Sequence, residues 1–199
     1  APLEDALAAW RGLLAEGADP RLAAFIGDSA GGGLALCLAL RLRDAGEPLP
    51  GAIVALSPWT DLALTGESMR RNARADPMQN ADDVPFLASR YLGGADPRNP
   101  YASPLYGDPT ALPPTLIQVG SDEILRDDSV RMAARMRDAG CEVELEIWPR
   151  MPHVWQTFAP VMPEARRAIA RIGAFVRQRT ALPGQMGGLR EPPGAAAAR

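Results

Sequence analysis

The sequence predicts an α/β fold in which a mostly parallel sheet is flanked by helices. Four short runs are typical of strands: residues 21–27, 51–57, 115–121 and 143–149. Segments with helical periodicity alternate with these runs. Because parallel neighbours need a crossover between them, this alternation predicts a parallel sheet. The first run is apolar enough to be buried on both faces, but with only a helix before it among these residues we expect it to form an exposed apolar edge of the sheet.

The helices are predicted from the spacing of apolar side chains. Residues 2–16 carry such side chains every three or four positions and Gly17 follows as a stop, so they predict an amphipathic helix. Residues 30–43 are apolar on nearly every side, which predicts a buried helix. Another helix ends at residues 138–140. Residues 163–179 place four apolar side chains on one helical face: Ala165, Ile169, Ile172 and Val176.

A long proline-rich segment separates the second and third predicted strands. A loop of that length without secondary structure is uncommon, so we expect residues 63–114 to form either a lid or short helices such as 82–92. This segment would stand above the strand ends, where ligands bind in such sheets. Residues 1–180 are expected to form one domain, and residues 181–199, which lack periodicity, a flexible tail.

Composition excludes several classes of protein. The 199 residues are 47% apolar and 23% charged, with a net charge of −3 and no basic run, so nucleic-acid binding is not expected. No apolar stretch approaches the roughly 18 to 20 residues of a membrane span. Cys37 and Cys141 are the only two cysteines, which argues against a disulfide framework and favours a reducing cytoplasm. All 21 basic residues are arginine, which is typical of codon usage in a GC-rich genome.

Ser29 lies in a Gly-x-Ser-x-Gly pattern between a predicted strand and a predicted helix. The pattern, Gly27-Asp28-Ser29-Ala30-Gly31, is typical of a nucleophile elbow, a strained turn that exposes a serine at the sheet edge. Side chains at either glycine are expected to collide with neighbouring backbone. The following helix would direct its N-terminal amides, Ala30 first, at a developing oxyanion. The alternative is that Ser29 is only a small residue in a tight connection.

His153 is the only histidine, and it follows the last predicted strand. A lone histidine in a loop is commonly a surface or structural residue. Downstream of a nucleophile elbow, however, this position suits a catalytic base, and the expected chain order is then serine, acid, histidine.

The acid is expected at the end of the third predicted strand. Asp122 is the carboxylate nearest that strand end and is the predicted partner of His153, with Glu123 as a rival. Asp127 and Asp128 stand just before the periodic segment 130–137, where helix caps are found.

Other chemistries lack their residues. The chain has no second histidine, no cysteine cluster and no Gly-Lys-Ser/Thr sequence, so neither a metal nor a cofactor is expected. Gly31-Gly32-Gly33 is explained by close packing of the helix beneath the turn. Three large side chains either line a substrate pocket or belong to the core: Trp59, Met78 and Trp155.

Four segments together resemble the bacterial esterase branch of the hormone-sensitive lipase family of alpha/beta hydrolases. They are GDSAGG (27–32), SPWTDL (57–62), DEILRDD (122–128), which resembles that family's Asp-x-Leu-Arg-Asp region, and MPHVW (151–155). Within the family the chain looks like alpha/beta hydrolase fold-3 proteins and monoterpene epsilon-lactone hydrolases. The likeness covers about residues 1–180, which would form the catalytic domain.

The resemblance implies cleavage of short acyl esters or lactones without a cofactor. It also implies a Ser29, Asp122 and His153 triad, with Ala30 in the oxyanion hole. Small-molecule substrates are the implied partners. Family members often form dimers, so a homodimer is a candidate assembly, although nothing in the sequence indicates one.

The sequence departs from the family in one respect. Family members carry a His-Gly-Gly-Gly loop upstream of the serine, and its amides form most of the oxyanion hole. This loop and the first strands of the fold are not among the 199 residues. We therefore expect the C-terminal portion of a longer protein, poorly soluble and nearly inactive alone. The alternative function is a catalytically idle fragment or a hydrolase-fold binding module.

Overall fold

The structure, a computed structural model, describes residues 2–181. Its centre is a four-stranded parallel sheet in the order β1-β2-β3-β4, as the sequence predicts. The strands are β1 (Ala24–Asp28), β2 (Ala52–Leu56), β3 (Thr115–Gly120) and β4 (Val143–Trp148). The helices are α1 (Pro2–Ala15), α2 (Ala30–Asp44), α3 (Ser68–Arg71), α4 (Val84–Leu92), α5 (Arg126–Asp138) and α6 (Pro163–Thr180). Residues 182–199, nearly all of the predicted tail, lie outside the described residues.

The helices form layers on both faces of the sheet. Helices α2 and α5 pack together on one face, where their side chains and those of β2 and β3 build the largest apolar cluster. Helix α6 covers the other face, with Phe175 buried against Val54 and Leu116. Helix α1 lies outside α2, and its Trp10 donates a hydrogen bond through Nε1 to the Pro48 carbonyl at 2.9 Å. This two-sided cover explains why β2 is uniformly apolar and why every residue of β3 is buried.

One burial prediction agrees with the structure and one is wrong in detail. Strand β1 is an edge strand as expected, because among the described residues it pairs with β2 alone, and its Ile26 is 55% exposed. On α6 the buried positions are Ala165, Ala168 and Phe175, whereas Ile169 is 45% exposed. The helix is therefore rotated so that Ile169 lies beside the buried face.

The segment between β2 and β3 is built from short elements. It contains α3, α4 and a 3₁₀ turn over Pro104–Tyr106. Its first residues are held by Asp128, whose Oδ2 accepts hydrogen bonds from the N–H groups of Thr60 and Asp61, each at 2.8 Å. The Asp61 carboxylate in turn accepts a hydrogen bond from Arg131 at 2.9 Å. Helix α5 thereby anchors the segment over the sheet edge.

Asp127 and Asp128 do not cap α5 as expected. Helix α5 begins at Arg126, so both aspartates lie in its first turn, and the residue at the cap position, Leu125, has no side-chain hydrogen bond to the helix. Asp127 instead accepts the Ser68 N–H at 2.9 Å. Both carboxylates satisfy backbone donors within residues 60–68, a tertiary role that local spacing does not reveal.

The buried Asp128 should make stability depend on pH. Burial raises the pKa of Asp128 to about 7, even though the Thr60 N–H favours its charged form. The unfolded chain titrates near an ordinary aspartate value of about 3.9, so between these values the folded state binds more protons and stability falls as pH rises. We therefore compare the free energy of unfolding in urea of Asp128→Asn with that of the parent. The difference, variant minus parent, should rise by about 1 to 3 kcal/mol between pH 5 and pH 8.

The exposed Asp138 on the same helix provides the matched control. In Asp138→Asn the free energy of unfolding should change between pH 5 and pH 8 by the same amount as in the parent. A stability gap between Asp128→Asn and the parent that is constant from pH 5 to pH 8 would contradict the assignment.

Candidate functional site

Four polar side chains follow the four strands at one edge of the sheet. Ser29 follows β1, Ser57 follows β2, Glu123 lies three residues beyond β3, and His153 lies in the loop after β4. The carboxyl ends of parallel strands meet at the same edge, which is where open α/β sheets place their ligand sites. The sheet therefore brings together residues that are far apart in sequence.

Ser29 occupies a strained turn between β1 and α2. Its backbone has φ 54° and ψ −121°, a conformation that residues with a side chain rarely adopt. Two hydrogen bonds hold it there: Ser29 N–H donates to the Leu56 carbonyl at 2.8 Å, and the Ser29 carbonyl accepts from the Trp59 N–H at 2.9 Å. The turn has the geometry expected of a nucleophile elbow.

The glycines around Ser29 have different steric roles. A Cβ on Gly27 would lie 2.2 Å from the Gly31 carbonyl oxygen, so no side chain fits there. A Cβ on Gly31 would meet nothing within 4 Å, so the expected collision at that position is not found. The close packing falls one and two residues later, where a Cβ on Gly32 would lie 3.0 Å from Pro58 and one on Gly33 would lie 2.1 Å from the Trp59 oxygen.

Helix α2 begins directly after Ser29. The first N–H groups of a helix have no intrahelical acceptor, and that of Ala30 is the first. Their partial positive charge, reinforced by the helix dipole, favours an anion beside the serine. Ala30 itself is exposed, so a substrate can reach it.

The structure pairs His153 with Glu123 and not with Asp122. Glu123 Oε2 lies 2.9 Å from His153 Nδ1, and both side chains are buried. Asp122 Oδ1 accepts a hydrogen bond from the Ser121 hydroxyl at 2.7 Å instead. The prediction that Asp122 is the partner of His153 is therefore corrected: the carboxylate that contacts the imidazole belongs to Glu123, the weighed rival.

The turn after β3 explains the difference. Gly120 N–H donates to Glu123 Oε1, so the chain curls back on itself and returns the third residue of the turn to the sheet edge. Proximity to the strand end in sequence is thus a poor guide. The motif contains a better signal, because counting back from Leu125-Arg126-Asp127 in the acid-x-Leu-Arg-Asp pattern places the acid at position 123.

Electrostatics around Glu123 are governed by burial. Desolvation raises the pKa of Glu123, while hydrogen bonds from His153, the Gly120 N–H and the Ser57 hydroxyl act in the opposite direction. His153 Nε2 is buried and has no hydrogen-bond partner among the described residues, and no hydrogen bond joins it to Ser29 Oγ. Nε2 is thereby left available for proton exchange, with Nδ1 held by the carboxylate.

A cavity of about 330 Å³ opens beside Ser29. Apolar side chains from α2, from α4, from the residues after β2 and from the turn before α5 make up most of its wall: Leu34, Trp59, Leu62, Val84, Leu87 and Leu125. His153 does not line it. Of the large side chains singled out in the sequence, Trp59 lines the cavity, Trp155 is buried among core residues, and Met78 is 50% exposed.

Residues 2–181 lack two further features, a metal-binding cluster and a membrane-spanning helix. The described residues contain no group of three or more histidine, cysteine or acidic side chains arranged to hold a metal ion. None of the described helices combines the length and apolarity needed to cross a membrane.

Comparison with known proteins gives consistent results. Residues 1–157 match the family described as alpha/beta hydrolase fold. The chain is 49% identical over 180 residues to an acetyl-hydrolase from Streptomyces hygroscopicus, covering 90% of this chain and 60% of that protein. It is 38% identical over 167 residues to an esterase from Acinetobacter venetianus, covering 83% of this chain and 55% of that protein.

Solved structures agree with these relatives. A crystal structure of an esterase from the bacterial hormone-sensitive lipase family superposes with a TM-score of 0.89 at 53% identity, covering 90% of this chain and 61% of that one. The structure titled EstE5-PMSF superposes with a TM-score of 0.86 at 44% identity, covering 90% of this chain and 60% of that one. The chain thus spans little more than half the length of the proteins it matches.

Proposed function

Because the chain belongs to the alpha/beta hydrolase fold family, we propose that it takes part in carboxylic ester hydrolysis with Ser29 as nucleophile. His153 acts as the general base and Glu123 orients it. One observation carries the proposal: a serine on a strained strand-to-helix turn shares a sheet edge with a buried histidine whose Nδ1 is held by a carboxylate. This combination is the arrangement of serine hydrolases.

The proposed reaction follows from the roles of these groups. His153 Nε2 takes the Ser29 hydroxyl proton as Oγ attacks the acyl carbon, and the Ala30 N–H stabilises the oxyanion that forms. The imidazolium then protonates the leaving alkoxide, which departs and leaves an acyl group on Ser29. Water, activated by the same imidazole, attacks the acyl carbon and releases the carboxylic acid.

Glu123 supports this cycle without exchanging a proton with substrate. Its carboxylate beside Nδ1 fixes the tautomer in which Nε2 is the base, and it stabilises the imidazolium that forms during attack. The hydrogen bonds that offset the burial of Glu123 favour its charged form, which this role requires.

The cavity supports small, apolar substrates. Its volume of about 330 Å³ lies at the low end of ligand pockets, which suits short acyl chains. Lactones are cyclic esters and can be hydrolysed through the same acyl-enzyme steps. The names of the relatives, acetyl-hydrolase and esterase, agree with this class.

The proposed reaction needs no cofactor. A reducing cytoplasm remains our expectation for the location of the protein, since Cys37 and Cys141 are both free thiols.

The proposal is tested by covalent labelling together with kinetics. The protein, expressed as its gene encodes it, should hydrolyse p-nitrophenyl acetate and butyrate, and phenylmethanesulfonyl fluoride should abolish the activity at one equivalent per active site. Mass spectrometry of the peptide that contains residues 22–41 should place the label on Ser29. A label on another residue, or hydrolysis that survives full labelling of Ser29, would refute the assignment. A protein without hydrolytic activity would favour the binding-module alternative.

A further inference from the structure

Ser57 is a buried serine that the mechanism above does not use. It follows β2, and its backbone has φ 47°, a left-handed conformation uncommon for residues other than glycine. Its N–H still continues the sheet by donating to the Gln118 carbonyl at 2.7 Å. The chain therefore turns abruptly after its last sheet hydrogen bond. Strained residues of this kind persist where surrounding structure holds them, commonly at functional sites.

The Ser57 hydroxyl joins the acid to the loop that carries the base. It donates to Glu123 Oε1 at 2.8 Å and accepts from the N–H of Val154, the residue after His153, at 3.1 Å. Val154 also has a positive φ, 50°, which is unfavourable for a β-branched residue. A hydroxyl has one proton to donate, and here Glu123 receives it, so the direction of both hydrogen bonds is fixed.

The segment that begins at Ser57 also contacts the nucleophile turn. Two residues later, the Trp59 N–H donates to the Ser29 carbonyl at 2.9 Å. Residues 57–59 thus make hydrogen bonds to the Ser29 turn, to Glu123 and to the residue next to His153. Such a segment can set the distance between the nucleophile and the base.

We propose that Ser57 is a positioning residue for the His153–Glu123 pair. By holding Oε1, its hydroxyl turns Oε2 toward the imidazole, and by accepting from Val154 it fixes the loop that carries His153. The inference rests on the proposed ester hydrolysis, in which the pair acts as one unit. Ser57 does not line the cavity beside Ser29, so its effect is expected on the chemical step and not on substrate binding.

Ser57→Ala and Ser57→Gly both remove the hydroxyl, and they differ in the strain that remains. Alanine keeps the unfavourable positive φ, whereas glycine relieves it and protects the fold. Both variants should lower kcat for p-nitrophenyl butyrate by about 10- to 100-fold, with KM within about twofold, because a hydrogen bond to a charged group is lost.

The pH profile gives a readout that a general loss of structure does not. Without the Ser57 proton the Glu123 carboxylate is less well stabilised, so the pair gives up its shared proton less readily. The acid limb of kcat/KM should move to higher pH by about half to one unit in both variants. Asp76 and Asp122 contact the same turn through Ile124 N–H and Ser121, and neither bonds to Ser57, so the substitutions leave them unchanged.

Ser103 is the matched control. It is buried like Ser57, and its hydroxyl also donates one hydrogen bond, to Pro97, and accepts one, from the Leu62 N–H. Ser103→Ala should lose comparable stability while keeping the kcat and the acid limb of the parent at a temperature well below its unfolding transition.

The outcomes separate the inference from the proposed function. Parental kcat and an unmoved acid limb in a folded Ser57→Gly protein would overturn the role of the hydroxyl. Equal losses of kcat in the Ser57 and Ser103 variants, with unmoved limbs, would overturn it as well by showing a general structural effect. Failure of the proposed function is visible in the parent, as absent hydrolysis or as hydrolysis that does not depend on Ser29.

Discussion

Ser29→Ala should lower kcat for p-nitrophenyl butyrate by about 10⁵-fold or more, because the acyl-enzyme route requires its hydroxyl. KM should change little, since the substituted atom is one oxygen at the edge of an apolar cavity. The measurement is steady-state kinetics with active-site titration, so that trace contamination by parent enzyme is detected.

Ser29→Gly separates activity from stability at the same position. A φ of 54° is unfavourable for serine but not for glycine, so the glycine variant should be more stable than the parent by about 1 kcal/mol. It should nevertheless be inactive, because it lacks the hydroxyl. Thermal unfolding of Ser29→Ala, which retains the strain, provides the comparison. Substantial hydrolysis in either variant, or a glycine variant less stable than the alanine variant, would count against a strained nucleophile turn.

The second large effect is expected at Glu123. Glu123→Gln preserves the size of the side chain but removes the charge that stabilises the imidazolium, so kcat should fall by about 10³- to 10⁴-fold. Asp122→Asn is the matched variant one residue away, and its kcat should stay within about threefold of the parent because, among the described residues, its carboxylate accepts a hydrogen bond from Ser121 and none from His153.

This pair of variants decides between the two carboxylates directly. Both substitutions remove one charge and keep the shape of the side chain, so a difference in kcat reports the position of the carboxylate. Circular dichroism and urea unfolding establish that both proteins are folded before kinetics are compared. If Asp122→Asn is the variant that loses activity, the acid assigned from the sequence is the right one and the contact in the structure is not used in catalysis.

Much of the architecture follows from local sequence patterns. The strand-like runs predicted the four strands to within about three residues, since strands covered by helix layers are apolar along much of their length. Alternation with helices predicted parallel pairing. The glycine-rich turn likewise predicted a strained serine, and its φ of 54° agrees with that expectation.

Local patterns failed where long-range contacts decide. Asp127 and Asp128 have the spacing of helix caps, yet they bind backbone donors of a segment that is about 60 to 70 residues away in sequence.

By itself, the sequence determined the parallel α/β fold, the turn at Ser29 and the candidacy of His153, since each depends on local spacing or on a residue type that occurs once. Only the tertiary structure decided that Glu123 and not Asp122 meets the imidazole, and that Ser57 joins them. Both depend on how the turn after β3 curls back toward the ends of β2 and β4. The local Gly120–Glu123 hydrogen bond and the Ser57 hydroxyl from the end of β2 together set that path, which distance from the strand end along the sequence does not reveal.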